Sequence, residues 1–132
     1  MSQEMFWLVL TVVMTGLFWV PYILDRIMVR GLMGAMANPG PDDKPQSAWA
    51  QRMMAAHTNA VENLVIFAPL VLAAQAMSIA TPTTAFACAL YFWSRLVHVV
   101  VYTLGIPVLR TLSFTGGFVA QAMLALAIFK LI

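Results

Sequence analysis

Charged residues make up only 9% of this 132-residue chain, where a soluble domain carries roughly 25%. So little charge leaves no polar coat with which to meet water on every side. Cysteine is reduced to one residue, Cys88, which excludes an intrachain disulfide and any CxxC metal site. No basic neighbour in the sequence favours its thiolate, so Cys88 reads as a buried packing thiol. The basic residues are dispersed and the net charge is only +2, which gives no nucleic-acid footprint. HExxH spacing, a glycine-rich phosphate loop, a serine nucleophile elbow and a haem motif are all missing, and no metal site is expected. The N-terminus Met-Ser-Gln-Glu has no basic stretch ahead of its apolar run, which argues against a signal peptide. Ala35-Met36-Ala37 resembles a cleavage site, but it follows Arg26 and Arg30, which would stop transfer. The first apolar run is therefore expected to be a true span.

What the chain has in abundance is apolar sequence: 62% of residues are hydrophobic and the mean hydropathy is +0.87. This is the composition of an integral membrane protein, and the length suits four spans of about 20 residues with short connections. The reading is an all-α, four-helix membrane bundle forming a single domain over 1–132. Its spans are expected at about 5–30, 49–77, 82–104 and 108–130. Gly34 to Ser47, with three prolines, two glycines, Asp42, Asp43 and Lys44, is the one real loop. Pro69 is a candidate kink in the second span. Thr81 is placed to cap the third helix with Pro82 at its first position, and Gly105 followed by Pro107 marks its end. Gly116, Gly117 and Ala120 are small enough to let a neighbouring helix approach closely. Arg26, Arg30, Lys44 and Arg52 surround the first loop and Arg110 follows the third, whereas the second loop and the N-terminus have no Lys or Arg. The positive-inside bias then places both termini away from the cytoplasm.

Two polar stripes interrupt the apolar sequence. In Arg52-Met-Met-Ala-Ala-His57-Thr-Asn59-Ala-Val-Glu62-Asn63, helical geometry brings Arg52, Asn59 and Asn63 within about 40° of one another, with Glu62 flanking them. In the third span Tyr91, Arg95, His98 and Tyr102 fall within about 60°. Polar groups at that depth must be met by protein or ligand. Glu62 and Arg95 are the natural charge partners. His57 lies about 140° from Arg52 and reads as a contact between helices rather than a catalytic base. Arg110 sits in the first turn of the fourth helix, where the dipole disfavours a cation, so an anion bound there would reconcile it with the free N–H groups. The plainer reading of Arg110 is a snorkelling topological charge.

These residues resemble a known family, the membrane-associated proteins in eicosanoid and glutathione metabolism, which include microsomal glutathione transferases. The resemblance covers nearly the whole chain. It rests on Arg52-x4-His57-x-Asn59-x2-Glu62-Asn63 with Phe67 and Pro69 following, on Arg95-x2-His98-x3-Tyr102 ahead of Arg110-Thr-Leu-Ser-Phe, and on Arg30 before Ala37-Asn38-Pro39. Ala55 stands where several members have another arginine.

The resemblance implies a homotrimer in the lipid bilayer, with glutathione as co-substrate bound between subunits. Arg30, Arg52, Asn59, Glu62, Arg95 and His98 would hold the tripeptide. Arg110 would stabilise the thiolate, and Tyr102 would assist. The activity implied is transfer of glutathione to a lipophilic small-molecule electrophile or reduction of a lipid hydroperoxide. For a prokaryotic member the location would be the plasma (inner) membrane. A non-enzymatic trimer or accessory subunit that keeps the stripes as structural contacts is the alternative.

Overall fold

A computed structural model describes residues 1–132 as five helices and no strands: α1 (Gln3–Leu17), α2 (Trp19–Met36), α3 (Ala48–Ala76), α4 (Pro82–Leu104) and α5 (Pro107–Ile128). Since α1 and α2 follow one another as Gln3–Met36, four stretches are long and apolar enough to cross a membrane.

The first span, expected at about 5–30, is built from two helices and runs from Gln3 to Met36. It is interrupted at Phe18. Pro21 explains the break, because it has no N–H to offer the carbonyl of Leu17 and its ring crowds that carbonyl. A second irregularity lies at Gly31, whose φ of 73° departs from helix inside α2; glycine adopts this conformation without the Cβ penalty. Helix resumes after Gly31 and runs to Met36, so the loop begins at Ala37 rather than at Gly34. Lipid-exposed backbone is not tolerated, and the threonines of α1 are accommodated by the helix itself. Thr11 donates to the Trp7 carbonyl at 2.7 Å and Thr15 to that of Thr11 at 2.8 Å.

The turn chemistry of α4 follows the sequence. Thr81 and Thr84 form a reciprocal capping box with Pro82 behind the cap, satisfying two of the donors that a helix start leaves free. Glu4 is buried beside this N-terminus and accepts from the Thr84 hydroxyl, an arrangement the helix dipole favours. At the other end Gly105 takes the left-handed conformation, φ 77°, and α5 begins two residues later at Pro107.

The core joins α1, α3, α4 and α5 through Leu8, Phe67, Val71, Ala87, Cys88, Tyr91, Ala120 and Leu124. Phe67 stacks on Tyr91 with ring centroids 3.7 Å apart and planes 8° off parallel. Small residues bring α5 against α4. A Cβ on Gly116 would lie 2.6 Å from the Ser94 hydroxyl oxygen, and one on Gly117 would lie 3.5 Å from Arg95 Cδ. The close contact of α4 with α5 holds the second polar stripe facing inward. Outward, Val12, Val13, Leu17, Val65, Ile66, Leu72, Val100 and Phe118 are exposed, as lipid-facing positions require.

Candidate functional site

The two stripes converge at the end of the bundle that carries the α2–α3 loop and the α4–α5 turn. Arg52, in the second turn of α3, reaches across to α4, where its Nε donates to the Thr103 carbonyl at 2.9 Å. Gly105 makes this crossing possible. A Cβ there would stand 3.3 Å from Arg52 Nε, so the residue that ends α4 by adopting positive φ also leaves room for the guanidinium.

Arg110 is exposed on the first turn of α5. Its Cζ lies 4.8 Å from the centroid of the Tyr102 ring, a cation–π contact that orients an otherwise free side chain. The ladder of α5 starts with Arg110 N bonded to the Ile106 carbonyl at 3.2 Å, so the N–H groups of Val108 and Leu109 precede it without helical acceptors. Tyr102 in turn stands edge-on to His98, with centroids 5.5 Å apart.

Two hollows share the Tyr102–Arg110 pair. One, of about 600 Å³, is bounded by Gln46, Gln51, Arg52 and Ala55 besides that pair. The other, of about 270 Å³, adds Asn59, His98, Thr111 and Phe114. Arginine, phenol, imidazole and carboxamide groups on three helices thus face two adjoining hollows that meet at Tyr102 and Arg110 and together form one open recess. On the far side of α5 an apolar groove of about 330 Å³ runs between Trp93, Val97, Leu109 and Leu112.

Deeper in the bundle the charge pairing differs from expectation. Arg95 is 2% exposed and its Nη2 donates to Asn59 Oδ1 at 2.7 Å. Glu62 does not meet it; that carboxylate is exposed on the outer surface of the protomer. The reason is helical phase. Asn59 and Asn63 point along the seam with α4, whereas Glu62 is rotated some 60–100° away from them. Asn63 completes the seam by donating to the Asn59 carbonyl at 2.8 Å, and its own carbonyl accepts from Gln121 Nε2 of α5 at 3.1 Å. Arg95 Nε, the Tyr91 hydroxyl and His98 Nδ1 are buried without a hydrogen-bond partner in the protomer, although buried polar groups are ordinarily paired.

Arg30 is not among the residues brought to the recess. Its Nε donates to the Lys44 carbonyl at 2.8 Å and its Nη1 lies 3.6 Å from Asp43 Oδ2, the one ion pair of the protomer. Arg30 therefore shapes the loop. Arg52, Asn59, His98, Tyr102 and Arg110 do share the recess; Arg95 lies behind it and Glu62 outside it. His57 joins the helices, its Nδ1 lying 2.7 Å from the Tyr22 hydroxyl.

Sequence reasoning missed Asp25 and Gln46. Asp25 is 6% exposed and accepts from the backbone N–H of Ser47 at 3.1 Å and from its hydroxyl. Gln46 Nε2 donates to Asp25 Oδ2 at 3.2 Å and to the Tyr22 carbonyl at 2.7 Å. The available signal was a carboxylate at the end of an apolar run, a position that calls for a named partner.

Compared with known proteins, residues 5–130 match the family model described as the MAPEG family. No curated protein and no solved structure matches the chain.

Proposed function

The chain belongs to the MAPEG family and is an integral, multi-pass membrane protein, and on that premise we propose that it joins glutathione to lipophilic electrophiles or uses it to reduce lipid hydroperoxides. The observation that carries this reading is the placement of Arg110 over Tyr102 at the mouth of a recess that also holds Arg52, Asn59 and His98. Glutathione brings two carboxylates, one ammonium and one thiol. Arginines suit the carboxylates because the guanidinium fork matches them in a bidentate manner. The thiol becomes nucleophilic as its thiolate, and Arg110 beside the free N–H groups of α5 supplies positive charge where that anion would sit. Once the thiol proton has passed to water, the sulfur either attacks the electrophilic carbon and expels its leaving group, or attacks the terminal hydroperoxide oxygen. There the O–O bond breaks, the lipid leaves as its alcohol after taking a proton, and a second glutathione thiol converts the resulting sulfenic acid to glutathione disulfide and water. Tyr102 holds Arg110 in place and offers its hydroxyl to the sulfur. The apolar groove along Trp93, Val97, Leu109 and Leu112 is suited to a lipophilic partner arriving from the bilayer.

The proposed assembly is a homotrimer, with the ligand held between subunits. Support comes from Glu62, a carboxylate exposed mid-helix among Val61, Val65 and Ile66. Left against lipid it would be costly, so a neighbouring copy or the ligand ammonium is its natural partner. The proposed orientation has both termini away from the cytoplasm, in the plasma membrane for a prokaryotic protein.

A second reading has a specific observation in its favour. Arg52 to Thr103, Arg95 to Asn59 and Gln121 to Asn63 are all hydrogen bonds between helices, as a non-enzymatic trimer or accessory subunit would retain for packing. Calorimetric titration of glutathione into the detergent-solubilised protein separates the two. Saturable binding supports the enzyme, and no heat at millimolar ligand supports the structural protein.

A further inference from the structure

Asp25 lies outside the recess, yet every bond it makes leads to the recess wall. Its carboxylate accepts three donors, the N–H and hydroxyl of Ser47 and Nε2 of Gln46. Ser47 is the residue from which α3 starts, and it makes no side-chain cap of its own, so the carboxylate of α2 does the capping from a neighbouring helix. Gln46 is saturated in consequence. Its Oε1 accepts from Arg26 Nε at 3.2 Å, its Nε2 is shared between Asp25 and the Tyr22 carbonyl, and its own carbonyl accepts from Gln51 Nε2 at 2.8 Å. Gln46 and Gln51 line the 600 Å³ hollow beside Arg52. The carboxamide of Gln51 donates one N–H to Gln46, and its oxygen accepts no bond within the protomer.

We infer that Asp25 is a positioning residue: it caps α3 in trans and, through Ser47 and Gln46, fixes the first turn of that helix so that Gln51 and Arg52 face the ligand. In its ligand this inference rests on the glutathione reading. Three donors converging on one buried carboxylate define a single geometry, and a side chain displaced by an ångström loses most of its value for binding. An isosteric amide at position 25 would turn one acceptor into a donor: facing the Ser47 N–H and Gln46 Nε2 it opposes two protons, and facing the Ser47 hydroxyl it reverses that bond and removes its charge assistance.

The test uses the full-length protein in detergent with Asp25→Asn, Ser47→Ala and Ser47→Thr. Hydrogen exchange of residues 47–52 reads the first turn of α3 without any ligand, and glutathione titration with turnover kinetics reads the recess. Asp25→Asn and Ser47→Ala are expected to exchange faster in this segment and to raise the glutathione KM about tenfold, with kcat changed less than about twofold. Ser47→Thr, which keeps both donors, should restore both readings. Unchanged exchange in Asp25→Asn and Ser47→Ala, or faster exchange with unaltered glutathione affinity, would overturn the inference. If the parent protein does not bind glutathione, the functional reading falls by itself, and the exchange measurement still decides whether Asp25 holds the recess wall. Ser47→Ala, which retains the carboxylate and the backbone donor, keeps the test valid should Asp25→Asn fail to fold.

Discussion

Arg95 is bonded to Asn59, Nη2 to Oδ1 at 2.7 Å, across the seam between α4 and α3. A buried guanidinium held by a carboxamide, with no carboxylate of its own protomer beside it, is an unusual arrangement at this depth. The bond ties α4 to α3, and the Arg95 side chain also packs against Gly117 of α5. Replacing Asn59 with Leu is expected to strand the cation at a cost of about 3–5 kcal/mol. Arg95→Met should rescue part of that loss, giving a coupling of about 0.5–3 kcal/mol in a double-mutant cycle. Reversible unfolding in mixed detergent measures it; strict additivity would show that the bond has no energetic consequence.

Gly105 serves both the turn and the recess. Gly105→Ala is expected to cost about 1 kcal/mol through its φ of 77°. The added methyl would also meet Arg52, 3.3 Å away, and push the guanidinium off the Thr103 carbonyl. Melting temperature and glutathione affinity should fall together. A variant that melts earlier and binds as before would mean that Arg52 takes no part in the ligand site.

The α4–α5 contact leads to a third expectation. Gly116→Ala should destabilise by about 1–3 kcal/mol, since its Cβ would lie 2.6 Å from the Ser94 hydroxyl oxygen. Combined with Ser94→Ala, which removes that oxygen, the loss should shrink. Equal losses in single and double variants would place the origin of the effect in the backbone instead.

Much of the architecture was legible in local chemistry. Thr81-Pro82 and Gly105-Ile-Pro107 state the ends of α4 because caps and breakers act within a few residues. The break at Phe18 was harder to foresee, since Pro21 acts on the carbonyl four residues upstream and a proline near the end of a membrane helix is usually tolerated. Arg52, His98, Tyr102 and Arg110 could be gathered from helical phase and from family resemblance. Charge complementarity points to a Glu62–Arg95 pair, but helical phase turns Glu62 outward and sets Asn59 against α4. Asp25 and Gln46 were illegible for another reason. Their partnership spans 21 residues and a loop, and no periodicity reports a contact of that kind.

Assembly offers a fourth expectation, independent of activity. Native mass measurement in mild detergent is expected to give three copies, because Glu62 needs a polar partner that the protomer does not supply. Glu62→Leu should alter the ligand affinity or the trimer population. A well-folded monomer would remove the proposed intersubunit site.

The central proposal is that Arg110, oriented by Tyr102, stabilises a glutathione thiolate. The direct measurement is the near-ultraviolet difference spectrum of the solubilised protein titrated with glutathione, recorded for the parent chain and for Arg110→Ala. A thiolate band that grows to saturation in the parent and disappears in the variant is the expected result. Turnover should fall about 10²-fold or more with it, and glutathione affinity far less. A parent protein that shows no thiolate band, or a variant that keeps both the band and the turnover, would contradict the proposal and return Arg110 to a topological charge at the membrane surface.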